Sequence, residues 1–121
     1  MSNYQRTSPQ SVKAAQFADL IRDLCAGYFQ RTLSVKTDTL ITVTAVTLST
    51  DLQYATAWIR VFPHQKKNSI LNHLHRYEKE FQRNLHHDIQ RKFIPHLKIE
   101  LDTTDEDSDH IDTLLGLIQP H

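Results

Sequence analysis

Apolar and polar positions recur along the chain in three distinct rhythms. From Ser8-Pro9 to about Arg31, Val12, Ala15, Phe17, Leu20, Ile21, Leu24 and Tyr28 return every three or four residues, with Cys25 and Phe29 bordering them. That spacing predicts one amphipathic helix, opened by Ser8 as a cap and Pro9 in its first turn. Residues 32–39 are a polar connection. Residues 40–62 change rhythm. Ile41, Val43, Ala45 and Val46 mix with Thr42, Thr44 and Thr47, and then Tyr54, Ala55, Ala57, Trp58, Ile59, Val61 and Phe62 mix with Gln53, Thr56 and Arg60. β-Branched and aromatic residues in such a run predict two strands. Ser49-Thr50-Asp51 lies between them, with side chains suited to closing a turn. Pro63 stops the second strand.

The helical rhythm returns from Gln65 to about Lys92, with Ile70, Leu71, Leu74, Tyr77, Phe81, Leu85 and Ile89 on one stripe. Periodicity alone permits a single long helix. Residues 93–102 then predict a third strand, with Phe93, Leu97, Ile99 and Leu101 as its apolar residues. Residues 103–109 form an acidic loop ahead of a short helix bearing Ile111, Leu114, Leu115, Leu117 and Ile118. Strands without regular helical crossovers imply an α+β two-layer fold: helices on one face of a three-stranded sheet, in the order α-β-β-α-α-β plus the short C-terminal helix. At 121 residues the chain reads as one domain, 1–121.

Charge sharpens this picture. Residues 1–99 hold all fourteen Lys and Arg against seven acids, a surplus of seven positive charges; residues 100–121 hold the other seven acids and no Lys or Arg. A basic body suits a polyanionic partner. On the predicted helical hairpin gather Lys66, Lys67, Arg76, Lys79, Arg83, Arg91 and Lys92, with Arg60 just before it. Arg76, Lys79 and Arg83 step by three and four and so share a helical face. This set reads either as a phosphate-binding ridge or as a solvated face paired with Glu80 and Asp88.

Other chemistries find less support. Two glycines argue against Gly-rich phosphate loops, and a single cysteine, Cys25, forms no internal disulfide. Cys25 is expected to be a half-buried helical thiol rather than a nucleophile. His73 and His75 point apart on a helix, as do His86 and His87, so neither pair chelates a metal on one face. Ser49 and Asp51 lack the glycines of a nucleophile elbow. Tyr54 and Trp58 read as core or sheet-face residues rather than base-stacking platforms. No apolar run approaches a membrane span, and no secretory signal opens the sequence, so a cytoplasmic protein is expected.

Three segments carry a family resemblance. Val46-Thr47-Leu48-Ser49-Thr50-Asp51-Leu52-Gln53-Tyr54-Ala55-Thr56-Ala57-Trp58-Ile59 resembles the V-x-x-S-x-D-L-x-x-A-x-V/I-Y/W-V signature of ribosome-binding factor A. Phe93-Ile94-Pro95-His96-Leu97-Lys98-Ile99-Glu100-Leu101-Asp102 is similar to the family's R-x-(V/I)-P-x-L-x-F-x-x-D segment. Ile111-Asp112-x-Leu114-Leu115 is similar to its closing I-x-x-L-L. The resemblance implies a type II KH-like RNA-binding fold and a non-catalytic factor without cofactor or metal. Its implied partners are the free or immature 30S subunit and 16S rRNA, whose maturation and 5′-end processing it assists as a monomer, most of all in the cold. The basic residues named above then become RNA contacts. The family's two helices meet at an Ala-x-Gly kink, which here falls on Tyr77, Glu78 and Lys79. A KH-like protein-interaction module that does not bind RNA is the alternative.

Overall fold

The computed structural model describes residues 9–33 and 38–104, with side chains from Val12 onward. The expected Ser8 cap, the acidic segment from residue 105 and the terminal helix over 111–118 lie outside the described residues. Helix α1 spans Pro9–Thr32, strand β1 Leu40–Leu48, strand β2 Tyr54–Phe62, helix α2 Lys67–His75, helix α3 Glu78–Asp88 and strand β3 His96–Leu101. A single 3-10 turn, His64–Lys66, leads into α2. The order α-β-β-α-α-β and the three-stranded sheet are those expected.

β2 is the central strand, antiparallel to β1 and parallel to β3. Alternation along it assigns its faces: Ala55, Ala57, Ile59 and Val61 are buried, while Tyr54, Arg60 and Phe62 are exposed. Ile41, Val43 and Val46 of β1 and Leu97 and Ile99 of β3 join the buried face. The helices cover this face. α1 contributes Phe17, Ile21, Cys25 and Phe29, one every four residues, with Tyr28 alongside. The centre of the helix face therefore differs from the predicted stripe. Val12 and Leu20 are exposed, and Cys25 and Phe29 are fully buried rather than marginal. Burial pushes the Cys25 thiol up to about 12, so it stays protonated and inert.

The β1–β2 turn is built as its sequence suggests. Asp51 Oδ1 accepts from the Ser49 hydroxyl (2.8 Å) and from the Gln53 N–H (3.1 Å), and Ser49 Oγ accepts from the Tyr54 N–H (2.9 Å). These bonds hold the Asp51 carboxyl below its ordinary range, the Ser49 bond most. They also hold Leu52 at φ 61°, a left-handed conformation uncommon for a leucine.

Two element boundaries differ from expectation. The helical stripe is interrupted. Arg76 N–H bonds His73 O (3.2 Å) and Tyr77 N–H bonds Leu74 O (2.9 Å), i to i−3 bonds that tighten and end α2. Tyr77 (φ −107°, ψ 13°) precedes Glu78, where α3 begins. The break thus lies at Arg76–Tyr77, with Glu78 and Lys79 in the first turn of α3. No small residue makes it; the Tyr77 ring packs against His73 (5.2 Å) and Phe81 (6.3 Å). α3 ends at Asp88, because Ile89 turns extended to bury its side chain. Arg91 and Lys92 therefore stand on a loop, not on a helix. The third strand starts at His96, not at Phe93, because its partner β2 begins opposite at Tyr54.

β3 is an edge strand, and α2 and α3 close its free edge. The Gln82 side chain donates to Pro95 O (2.9 Å) and accepts from Leu97 N–H (2.8 Å). His75 Nε2 bonds Ile99 O at 3.1 Å. Capping these groups removes a template for strand addition.

Candidate RNA interface

The eight basic candidates do not form one ridge. Arg60 projects from the open face of the sheet, away from the helices, and lies 3.8 Å from Asp102. Lys66 and Lys67 mark the entry to α2, where Lys67 Nζ meets His64 Nε2 at 3.1 Å. Arg76 sits at the α2–α3 break, and Lys79 and Arg83 follow on the outer face of α3, all three exposed. Arg91 and Lys92 occupy the loop after α3. The structure thus places Lys79 and Arg83 one turn apart on α3, with Arg76 at the break before it, and sets Arg60 on the sheet face opposite the helices.

Among the described residues no carboxylate lies within 4.0 Å of Arg76, Lys79 or Arg83. Asp88 is turned elsewhere, accepting from Tyr28 Oη (2.5 Å) and contacting His87 Nδ1 (3.0 Å). The Tyr28 bond, first, and the His87 contact hold the Asp88 carboxyl below its ordinary range, while burial and the same carboxylate push the Tyr28 phenol up. Glu78 faces His75 at 3.8 Å. A face of cations with no carboxylate partner suits phosphate better than a solvated helix surface laced by ion pairs.

His73 and His75 serve the fold. His73 Nε2 lies 3.3 Å from Thr32 O on α1 and His75 Nε2 reaches β3, so the two rings diverge to opposite neighbours. No cluster of three or more metal-ligating side chains occurs among the described residues. Nor is any helix there long and apolar enough to cross a membrane.

One polar link across the open face was not legible in the sequence. The β1–β2 register shifts between Val43 and Ala45, leaving Thr44 as a bulge. Its hydroxyl bonds Asp102 Oδ2 at 2.7 Å, beside Arg60. The Thr44 bond, foremost, with Thr104 and Arg60, holds the Asp102 carboxyl below its ordinary range. For a depressed carboxylate the stabilisation is present above its unfolded value, near pH 3.9, and is lost as pH falls through its folded value. Thr44→Val is therefore expected to lower Tm by a few degrees at neutral pH, a deficit that shrinks as the solution is acidified below the unfolded value of about 3.9. Thermal melts across that range check it; a deficit constant with pH would assign the loss to packing alone.

A family model of ribosome-binding factor A matches residues 13–115. The ribosome-binding factor A of Beijerinckia indica is 27% identical over 118 residues, covering 95% of this chain and 84% of that protein. That of Clostridium acetobutylicum is 31% identical over 81 residues, covering 66% of this chain and 67% of its own. The crystal structure of ribosome-binding factor A from Thermus thermophilus superposes with a TM-score of 0.64 at 22% identity, covering 73% of this chain and 93% of that one. A homology model of the Thermus thermophilus factor, fitted into a cryo-EM map of its 30S complex, gives 0.61 at 21% identity, covering 74% and 96%. The match extends from α1 beyond β3, through the turn and bulge just described, and the chain belongs to the ribosome-binding factor A family.

Proposed function

We propose that this chain binds the immature 30S subunit and assists maturation of 16S rRNA, including its 5′ end, without itself catalysing a reaction. The observation that carries this reading is the set of exposed cations Arg76, Lys79 and Arg83, with no carboxylate within 4.0 Å among the described residues, on a fold whose Thermus relative was fitted into a 30S complex. Phosphate contacts from such a face fix position, while the local shape of the rRNA supplies specificity. The helix break at Arg76–Tyr77, formed without Ala or Gly, keeps backbone and cations together at the start of α3. This weighs against a KH-like module without RNA.

The test is cosedimentation with mature and precursor small subunits at two salt concentrations, using wild type and Lys79→Ala/Arg83→Ala. Each phosphate contact contributes about 0.7–0.9 to the slope of log K against log salt, so the double change is expected to flatten it by roughly 1.5. Binding that ignores both salt and the double change would overturn the assignment of this face. No binding to either subunit would overturn the function.

A further inference from the structure

A cleft of about 1060 Å³ opens at the end of α3 far from the break, between the β1–β2 turn, α3 and residues 91–96. Its lining combines two chemistries. Phe93 is 78% exposed and Tyr54 47%, unusually open for aromatic rings, and both line it. Cations stand next to these rings. Lys92 Nζ is 5.7 Å from the Phe93 ring centre, and Lys98 Nζ is 5.5 Å from that of Tyr54. Arg91, also lining the cleft, is not loose: its guanidinium lies 4.1 Å over the ring of Phe17 on α1. The cleft's carboxylate, Asp51, has Oδ1 engaged by Ser49 and Gln53 within the turn.

We infer that this cleft receives an unpaired stretch of RNA, its bases stacking on Phe93 and Tyr54 and its phosphates meeting Arg91, Lys92 and Lys98. Open aromatic faces beside cations are what a single strand engages, since every base has a free π-face and every linkage a charge. A duplex hides its base faces and offers this cleft only phosphates. The cleft also continues the cationic face. His86 follows Arg83 by three residues and Lys79 by seven, on the same side of α3, and it lines the cleft. Phosphates tracking from Arg76 along α3 would thus arrive at the aromatic rings. The inference rests on the RNA-binding reading above and adds to it the kind of RNA and its place.

The experiment measures fluorescence anisotropy of labelled oligouridine and oligoadenosine of about six nucleotides, and of a labelled hairpin without unpaired overhang, against the full chain. Wild type, Phe93→Ala, Tyr54→Ala and Lys79→Ala/Arg83→Ala are compared. Phe93 and Tyr54 are exposed, so their truncation is expected to leave the fold intact, which thermal melts of the variants check. Phe93→Ala is expected to weaken single-strand binding by roughly 5- to 100-fold and leave hairpin binding unchanged, and Tyr54→Ala to act alike. Single strands bound no better than the hairpin, or bound equally by wild type and Phe93→Ala, would overturn the inference. Cosedimentation of Phe93→Ala with small subunits separates the two claims. If wild type cosediments but single-strand binding ignores Phe93, the cleft assignment falls and the subunit reading stands. Phe93-dependent single-strand binding without cosedimentation would keep the cleft and remove the subunit.

Discussion

Phe81→Ala is expected to destabilise the protein by about 3–5 kcal/mol and to lower Tm by at least about 10 °C. Phe81 is 1% exposed and stands where α3 meets α1. Its ring lies 5.0 Å from Phe29 at a tilt of 56° and 6.3 Å from Tyr28, almost parallel to it. Truncation removes the transfer energy of the ring and leaves a cavity that Leu85, Leu74 and the α1 aromatics cannot fill, since each is pinned by its own element. Much of the net stability of a domain this size, typically about 5–15 kcal/mol, is at stake. Phe93→Ala is the internal control: the same deletion at a 78% exposed site should change stability by no more than about 0.5 kcal/mol. Denaturant melts of the two variants check the contrast. A Phe81→Ala loss below about 1 kcal/mol would mean that α1 and α3 do not pack through this ring.

The contrast between these two phenylalanines also marks where the sequence stops being legible. Both belong to apolar runs, and periodicity places both on core-facing elements. Phe81 stays there because α3 extends on both sides of it. Phe93 does not, because strand pairing begins only where β2 begins, and that boundary is set by the turn at residues 49–53. The strands themselves are readable, since Ala55, Ala57, Ile59 and Val61 alternate with polar or aromatic neighbours and only one face can be buried. The same alternation assigns Arg60 to the open face, a consequence that a count of basic residues along the chain passes over. The Thr44 bulge depends on Asp102, fifty-eight positions away, and no local pattern announces such a bond.

The residues that carry the family resemblance turn out to be fold determinants. Ser49 and Asp51 close the turn, Ala55 is fully buried beneath the helices, Pro95 is buried beside Gln82, and Asp102 pins the bulge. The candidate contact residues lie largely outside those motifs. That division explains why the family was readable while the interface was only partly so. The spacing of Lys79 and Arg83 reveals their common side on α3, but the position of Arg76 depends on the break before that helix and those of Arg91 and Lys92 on where it ends. Ile89 decides that by leaving the helix to bury itself in the core.

Gln82→Leu should cost about 2 kcal/mol, although the two side chains are similar in volume and Gln82 is only half-buried. The amide serves two backbone groups on the free edge of β3, donating to Pro95 O and accepting from Leu97 N–H. A leucine satisfies neither and shields both from water; each stranded group costs roughly 1–3 kcal/mol, the lower end applying at a partly open edge. Gln82→Glu separates the two bonds. Its carboxylate still accepts from Leu97 but cannot donate to Pro95, so its penalty at neutral pH should be the smaller. Below about pH 4.3 a protonated carboxyl regains the donor, and that penalty should shrink. Hydrogen exchange gives a local readout: protection of the Leu97 amide should fall in the leucine variant and persist in the glutamate variant. Equal stability of wild type and Gln82→Leu would show that water or the neighbouring His75 already satisfies the edge. Gln82 also lines the cleft, so the leucine variant tests whether the edge clamp holds residues 91–96 in the position that presents Phe93. If it does, single-strand binding should weaken in step with the lost amide protection, while contacts near Arg76 and Lys79, at the other end of α3, persist.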